Sequence, residues 1–467
     1  MEEQILTSEY LIELIQKKDI IKLREIFEST PAIDLAEIAN EFDNVADILF
    51  IFKTINSEYT AELFSWLNAD QREKLLHIFT DKQLMELVEN SYTDDIVDFL
   101  EDLPANLVNR ILQNADKETR ETINKLLNYK ENTAGSIMTT EYVELKSNLS
   151  VEDALTKIRK IGRDAVTIYT TFVIDSKRNL VGALYLDDLL FAEPNVKISD
   201  IMNEDFLTVH VNTDQEEVAT LFKRYDKTVV PVLNDDNKMI GVITIDDVID
   251  VIEQEATEDI SHMAAVKPLE DSYSDSSILK IARSCTPWLI ALMVLGVFSA
   301  IILNRFEHTL AQVVILTAFI PTLMDTGGNA GNQSATLITR ALALDEFDQK
   351  AFLRIVWKET RVAFIVATMV GIFAFFWVFF EIAVGLIAYD TGFGLFTLGW
   401  FVEIARIAGL IGATLFTAIL IGKVVGAALP LLARALKKDP ALMATPFVTT
   451  IVDVTALLVY FFFSTAV

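Results

Sequence analysis

The chain has 467 residues, of which 52% are hydrophobic, and its 39 Lys and Arg against 67 Asp and Glu give a formal net charge of −28. Residues 281–467 hold 12 of those basic and 11 of those acidic residues, which leaves 27 basic and 56 acidic residues in the first 280. The single cysteine, Cys285, excludes a disulfide framework within the chain, and the acidic N-terminus lacks the apolar core of a targeting peptide. These features predict a reduced, acidic, cytosolic first half that does not bind nucleic acid, followed by a membrane half.

Residues 1–130 are predicted to be helical. Apolar residues such as Leu11, Leu14 and Ile15 recur at the spacing of an α-helix. Two similar segments, which begin at Asp34 and Asp95, look like repeated helix starts. We therefore expect an all-α, superhelical N-terminal domain. Its acidic face would contain Glu58, Asp94, Asp95 and Asp98.

The next segment contains an internal repeat. The string that begins Ile137-Met138 is echoed 64 residues later at Ile201-Met202, and Leu180–Asp188 is echoed by Met239–Asp247. Each copy has the order strand–helix–strand–strand–helix and resembles a CBS domain, which predicts an α/β tandem pair over residues 131–198 and 199–256. CBS pairs usually dimerise and often bind ATP or another adenine nucleotide. Thr244 and Asp247 occupy the usual ribose-binding positions, whereas the first copy has Tyr185 where Ser or Thr is common.

An acidic helix is predicted after the second copy, leading into a linker helix over residues 257–280. Its carboxylates recur at three-, four- and seven-residue steps, at which like charges repel one another. The pattern is compatible with a solvated face or with divalent cations shared between domain faces. The carboxylates in question are Asp246, Asp247, Asp250, Glu253, Glu255, Glu258 and Asp259.

The membrane half, residues 281–467, is predicted to form five α-helical spans. Their apolar cores are Cys285–Leu303, Thr309–Thr339, Val362–Phe380, Ile407–Gly422 and Pro446–Val467. Each is about the length needed to cross a bilayer. Basic residues cluster between spans two and three and between spans four and five, whereas the Glu381–Gly399 loop has none. This asymmetry predicts a cytosolic N-terminus and an external C-terminus.

The most informative motif is TGGNAGNQSAT, Thr326–Thr336, inside the second span. Glycines and amides at membrane depth predict a broken helix that lines a polar cavity. Asp325 precedes the motif as either a helix cap or a functional group. Lys423 is expected to extend to the cytosolic face or, alternatively, to pair with Asp453.

Asp453 in the last span is a candidate functional carboxylate, because ionisable groups within spans are usually functional. Thr449 lies one helical turn before it, on the same face. A carboxylate with hydroxyls and carbonyls, without a Cys–His cluster, favours Mg²⁺ over zinc or copper.

The domain order and the motifs together resemble the MgtE family of magnesium channels and transporters. The motifs are Pro321, TGGNAGNQSATLITRALA, the TEDI string Thr257–Ile260, and Asp439-Pro440 followed by Pro446–Thr455. Many members have Met where this chain has Thr326. The resemblance implies a homodimer with a pore on the twofold axis, lined by spans two and five.

The resemblance also implies roles for individual residues. Asp453 would hold hydrated Mg²⁺, with help from the backbone oxygen of Thr449, beside the pore-lining Asn329, Asn332 and Gln333. Regulatory Mg²⁺ would bind the CBS pair at Asp214, Glu216, Asp226, Asp247 and Asp250. A second regulatory cluster would join the linker residues Glu255, Glu258 and Asp259 to Asp439 and hold the pore closed.

The predicted function is therefore a magnesium-selective channel or transporter of a cell membrane, closed by cytosolic Mg²⁺ and also able to carry Co²⁺ or Ni²⁺. An exchanger coupled to Na⁺ or H⁺ is the main alternative. A non-conducting sensor is disfavoured, because five spans with a polar motif are more than an anchor needs. An enzyme is not expected, because no catalytic constellation occurs in the sequence.

Overall fold

The computed structural model describes residues 7–101, 103, 105–269, 273, 276–307, 314–344, 346, 352–441 and 445–465. The chain forms two compact units, Met1–Glu253 and Gln254–Val467, each with its own core.

The first unit begins with a purely helical domain. Its helices are α1 (Ser8–Lys17), α2 (Ile20–Ser29), α3 (Ala32–Asn40), α4 (Val45–Phe52), α5 (Ser57–Ser65), α6 (Ala69–Ile78), α7 (Asp81–Asn90), α8 (Thr93–Glu101), α9 (Ala105–Asn114) and α10 (Lys117–Leu126). Side chains of Asn44, Asn56, Asn68 and Thr80 cap α4, α5, α6 and α7 by accepting hydrogen bonds from backbone N–H groups. Helix α3 packs on α5, α5 on α7, and α7 on α9, over one apolar core that includes Leu35, Leu63 and Leu84.

The second part of this unit has two copies of one α/β pattern. The first copy contains β1 (Glu144–Lys146), α11 (Val151–Ile161), β2 (Thr170–Ile174), β3 (Leu180–Tyr185) and α12 (Leu186–Phe191). After the short α13 (Ile198–Ile201), the second contains β4 (Val209–His210), α14 (Gln215–Tyr225), β5 (Val229–Leu233), β6 (Met239–Thr244) and α15 (Ile245–Met263). In both copies the first two strands are parallel and the last two antiparallel. The repeat read from the sequence is therefore a repeat of structure.

Helix α15 continues past the second copy without a break and ends at Met263. The predicted linker segment 257–280 is helical over its first part, up to that residue, and again from Ile278, where α16 begins.

The second unit is built from long apolar helices. They are α16 (Ile278–Leu295), α17 (Val297–Arg305), α18 (Ile315–Ala343), α19 (Phe352–Ala383), α20 (Leu398–Ala435) and α21 (Thr445–Ser464). Among the described residues, four helical stretches are long and apolar enough to cross a membrane: Ile278–Arg305, α19, α20 and Phe447–Ser464. The remaining predicted span corresponds to α18, which carries the polar motif and packs against α20 and α21.

The predicted break in the second span is wrong. Helix α18 is α-helical throughout, across both Pro321 and the glycine motif. The glycines instead allow neighbouring backbones to approach. A Cβ atom on Gly426 of α20 would lie 2.1 Å from the carbonyl oxygen of Gly331, and one on Gly331 would lie 2.6 Å from a methyl group of Val448. Close helix packing through small residues is a general solution in membranes, and it leaves the helix hydrogen bonds intact.

Candidate functional site

A line of polar side chains joins α18 to α21 in the middle of the apolar unit. The Asn332 side-chain amide donates to the Thr449 hydroxyl at 3.2 Å. One turn earlier on α18, a Cβ on Gly328 would lie 3.3 Å from the Thr449 methyl group and 3.7 Å from a carboxylate oxygen of Asp453. Gly328 thus lies directly against Thr449 and close to the Asp453 carboxylate, and α18 and α21 share one polar strip.

Asp325 extends this strip by a further turn of α18. Its carboxylate accepts a hydrogen bond from the Asn329 amide at 3.1 Å and lies close enough to Asp453 for their charges to interact. Asp325, Asn329 and Gln333 are all exposed. Such a face cannot be left in hydrocarbon, because unsatisfied polar groups there cost several kcal/mol each. The face therefore requires water or another protein surface against it.

Lys423 makes neither of the two contacts expected from the sequence. It is 3% exposed, and its ammonium donates to the Ser334 hydroxyl at 3.0 Å and to the Glu359 carboxylate at 3.4 Å. Both the cytosolic position and the pairing with Asp453 are therefore wrong. Sequence reasoning missed Glu359, because it follows the basic run Arg354–Lys358 and looks like part of a loop. The sequence feature that could have identified Glu359 is its position, three residues before the uncharged span Val362–Phe380.

A second cluster lies where the end of α15 meets the α20–α21 connection. The Nδ1 atom of His262 is 2.8 Å from an Asp439 carboxylate oxygen, and its Nε2 atom is 3.6 Å from Glu258. Burial raises the pKa of Asp259, and the nearby charge of Asp439 raises it further. The structure thus brings Glu258, Asp259 and Asp439 together, and their role with Glu255 in holding the pore closed stays a prediction. His262, which lies between them, was not singled out from the sequence.

The acidic residues of the second CBS copy are spread over its surface. Asp214 caps the start of α14 by accepting from the Glu216 N–H, whereas Asp226 follows the end of the same helix. A helix of that length separates its two ends by about 16 Å. Asp250 lies on α15, where burial and then the charge of Glu253 raise its pKa. These residues therefore form separate candidate sites.

A further acidic cluster lies between the helical domain and the second CBS copy. Asp94 on α8 is only 8% exposed; burial, followed by the charges of Asp247 and Asp95, raises its pKa to about 8. Burial also raises the pKa of Asp247 to about 6. Glu141, which the sequence reasoning missed, accepts hydrogen bonds from Thr93 and Thr139 beside them. Glu58 and Asp98, predicted for the same acidic face, have side chains outside the described residues.

Asp247 also serves a local structural role. Its carboxylate accepts hydrogen bonds from the hydroxyl and the N–H of Thr244 at 2.6 and 3.3 Å, which caps the start of α15. The two residues predicted to bind nucleotide are thus in contact. Across the part of the chain that is described, no three His, Cys, Asp or Glu side chains converge closely enough to hold a metal by themselves.

Comparison with known families accounts for most of the chain. Residues 9–132 match the MgtE intracellular N domain, residues 134–195 and 198–254 match the CBS domain, and residues 320–463 match a family described as a divalent cation transporter. These ranges follow the same order as the helical domain, the repeated α/β pattern and the apolar unit.

Individual relatives extend over almost the whole length. The magnesium transporter MgtE of Thermus thermophilus is 35% identical over 98% of this chain and 98% of its own. The MgtE of Bacillus subtilis is 31% identical over 90% and 91%. Among solved structures, the cytosolic domain of the Mg²⁺ channel MgtE in complex with ATP has a TM-score of 0.50 and 34% identity, and covers 52% of this chain and 99% of that one.

Proposed function

Because the chain belongs to the MgtE family of magnesium transporters, we propose that it conducts Mg²⁺ selectively through a pore lined by α18 and α21. The observation that supports this most strongly is the strip formed by Asp453, Thr449 and Asn332 within the apolar unit. It combines a carboxylate with neutral oxygens and has no soft ligand, which suits a hard cation. Its residues come from the two helices that carry the family motifs.

We further propose that the functional unit is a homodimer with α18 and α21 of both copies around the pore. The exposed face of Asp325, Asn329 and Gln333 supports this, because a second copy would enclose it around water instead of leaving it in lipid. Two copies would also bring two Asp453 carboxylates to one axis. Their combined charge matches that of one divalent cation.

The ion would pass Asp453 in hydrated form. Mg²⁺ dehydrates reluctantly and keeps several waters, so carboxylate and hydroxyl groups spaced around its water shell can hold it without direct coordination. Ca²⁺ prefers six to eight flexible oxygen ligands and would fit such a site poorly. Hydrated Co²⁺ and Ni²⁺ would be accepted as alternative cargo.

Cytosolic Mg²⁺ is proposed to close the pore by binding the acidic clusters. Asp94 and Asp247 lie together in the first unit, and Glu258, Asp259 and Asp439 in the second. A divalent cation would neutralise the charged carboxylates of these clusters and would displace the proton that Asp94 holds below about pH 8. A ligand shifts such an equilibrium only by its difference in affinity for the two states, so several weak sites would have to act together. Asp214, Glu216, Asp226, Asp250 and Glu255 are proposed as further regulatory ligands.

The CBS pair is proposed to bind ATP or another adenine nucleotide at Thr244 and Asp247. The solved relative in complex with ATP supports this. Nucleotide and Mg²⁺ would then compete for Asp247, since its carboxylate serves both proposed sites. The acidic unit and the N-terminus are proposed to be cytosolic, with the C-terminus outside.

Flux into liposomes that contain the purified chain tests the proposal. We expect Mg²⁺ uptake that needs no Na⁺ or pH gradient and that exceeds Ca²⁺ uptake. Asp453→Asn should abolish it, because the amide keeps the shape of the side chain and loses its charge. Thr455→Ala, on the same helix, is the matched control, since the hydrogen bonds of its hydroxyl within the described residues go to carbonyls of its own helix.

Two results would contradict the proposal. Wild-type flux in Asp453→Asn would exclude the pore assignment. Uptake only under an imposed Na⁺ or H⁺ gradient would instead favour the coupled exchanger.

A further inference from the structure

Three helices of the apolar unit meet at a buried polar network that the proposed pore does not use. The Ser334 hydroxyl on α18 donates to the Glu359 carboxylate on α19 at 2.5 Å. The Lys423 ammonium on α20 donates to both, at 3.0 and 3.4 Å. Ser334 is fully buried and Glu359 is 8% exposed.

Such a network is costly to form, so its presence needs a reason. Burying a charge carries a large desolvation penalty, which good pairing offsets only in part. A protein with apolar residues in place of a buried ion pair is therefore often as stable. Charged side chains within membrane spans therefore usually mark function. What an ion pair provides beyond stability is a defined geometry, because each group is satisfied only when the three helices hold one arrangement.

The position of the network relates it to the pore. Ser334 lies two residues after Asn332, and successive side chains of an α-helix are about 100° apart, so the two side chains point about 200° apart around α18. Lys423 follows Gly422, where α18 and α20 are in close contact: a Cβ on Gly422 would lie 2.7 Å from the carbonyl oxygen of Gly327. The network thus contacts α18 on the side opposite Asn332.

We propose that Ser334, Glu359 and Lys423 are positioning residues that fix the rotation of α18 and thereby present Asn332 to Thr449 at the pore. A purely structural contact between the helices would also explain the burial of the three groups. An apolar contact, however, would join the helices with a smaller desolvation penalty. The inference rests on the proposed pore function. It adds that the buried network on one side of α18 determines the ion selectivity of the polar strip on the opposite side.

Ser334→Ala is the decisive variant, because it removes one hydroxyl and leaves the Lys423–Glu359 pair in place. We expect the half-saturating Mg²⁺ concentration in liposomes to rise about threefold or more, the effect typical of one interhelical hydrogen bond in a membrane protein. The preference for Mg²⁺ over Ca²⁺ should fall with it.

Thr414→Ala is the matched control. Thr414 is as buried as Ser334 and lies on α20, but its hydroxyl bonds to the Leu410 carbonyl of its own helix. A merely structural role for the network would reduce the number of active channels. It would lower maximal flux and leave half-saturation and ion preference unchanged. That outcome, or wild-type behaviour of Ser334→Ala, would overturn the proposal.

A second readout does not depend on flux. Ala335 of α18 and Val448 of α21 share one buried cluster. In a Cys285→Ser background, which removes the native thiol, cysteines at these two positions should form a disulfide. Ser334→Ala should slow that reaction and Thr414→Ala should not. If the wild type carried no Mg²⁺ the proposed function would fail, and this crosslink would still decide whether the network sets the rotation of α18. An unchanged crosslinking rate would refute it.

Discussion

At the scale of single residues, the two carboxylates of the polar strip have different environments. Asp453 is half-buried beside Gly328, whereas Asp325 is exposed one turn further along α18 and accepts from Asn329. In the proposed orientation, which has the C-terminus outside, Asp325 lies on the external side of Asp453. A cation entering from outside would therefore meet Asp325 first.

Replacing Asp325 should weaken Mg²⁺ capture without abolishing conduction. Asp325→Asn can keep the contact with Asn329 and loses one charge near the ion. A unit charge at about 4 Å in water contributes about 1 kcal/mol, so we expect the half-saturating Mg²⁺ concentration to rise about fivefold or more. Asp390→Asn, in the exposed α19–α20 loop, is the control. Flux titrations in liposomes measure both, and equal values for Asp325→Asn and wild type would exclude a capture role.

At the scale of elements, the glycines of α18 and α20 determine how closely these two helices pack. Gly331 and Gly426 are in backbone contact, with no room for a Cβ atom at either position. The same helices carry Asn332 and Lys423. A shift between them would therefore disturb both the polar strip and the buried network.

Gly426→Ala should destabilise the apolar unit. Its new methyl group would overlap the Gly331 carbonyl, and overpacking of this kind typically costs about 1–3 kcal/mol. Gly409→Ala on the same helix is the control, because its nearest neighbour would be 4.0 Å away. Thermal unfolding in detergent should show a lower midpoint for Gly426→Ala and little change for Gly409→Ala. The close approach would be in doubt if the two variants were equally stable.

The end of α15 is the second element that carries a prediction. Glu255→Gln, Glu258→Gln and Asp259→Asn together remove the carboxylates of α15 that are proposed to form the regulatory cluster with Asp439. Closure at high cytosolic Mg²⁺ should weaken, so flux at millimolar Mg²⁺ should exceed that of the wild type. Glu253→Gln, which is exposed on the same helix, should leave closure unchanged. An unaltered Mg²⁺ dependence in the triple variant would place the regulatory cluster elsewhere.

At the scale of the whole molecule, charge is distributed very unevenly. The first 280 residues hold 56 acidic and 27 basic residues, whereas the apolar half is nearly neutral. Self-repulsion on that scale destabilises a compact state unless cations neutralise it. Asp94 is one residue at which this repulsion acts, because burial and the charges of the neighbouring Asp247 and Asp95 raise its pKa from 3.8 to about 8.

The sign of the resulting pH dependence follows from proton counting. Between about pH 4 and pH 8 the folded state holds a proton on Asp94 that the unfolded state has lost, so stability falls as pH rises through that window. Without Mg²⁺, the acidic unit of the intact protein should be cut by protease faster at pH 8.5 than at pH 6.5. Added Mg²⁺ should protect it more at pH 8.5.

Asp94→Asn should remove most of this difference, because the amide does not ionise. Asp236→Asn, in an exposed turn of the same unit, is the control and should behave like the wild type. Identical pH profiles for Asp94→Asn and wild type would show that the dependence arises from other carboxylates.

The sequence by itself determined the order of the parts. Hydrophobic spacing predicted the helical domain, the internal echo predicted the paired α/β pattern, and the charge division separated an acidic half from an apolar one. These features are local in the chain, since period, repeat and composition are read within short windows. Asp453, Thr449 and Asn332 were also found this way, because polar groups stand out in an apolar span.

Only the tertiary structure decided which polar groups meet. Lys423 pairs with Glu359, 64 positions earlier, and His262 pairs with Asp439, 177 positions later. The glycine motif predicted a broken helix, yet α18 is continuous and the glycines serve packing. The physical reason is common to these cases. A charged residue in a membrane helix can pair with any of several partners, and a glycine can either break the helix or allow a neighbouring helix to approach. Which of these occurs depends on the face that a neighbouring helix covers, and no local sequence pattern contains that information.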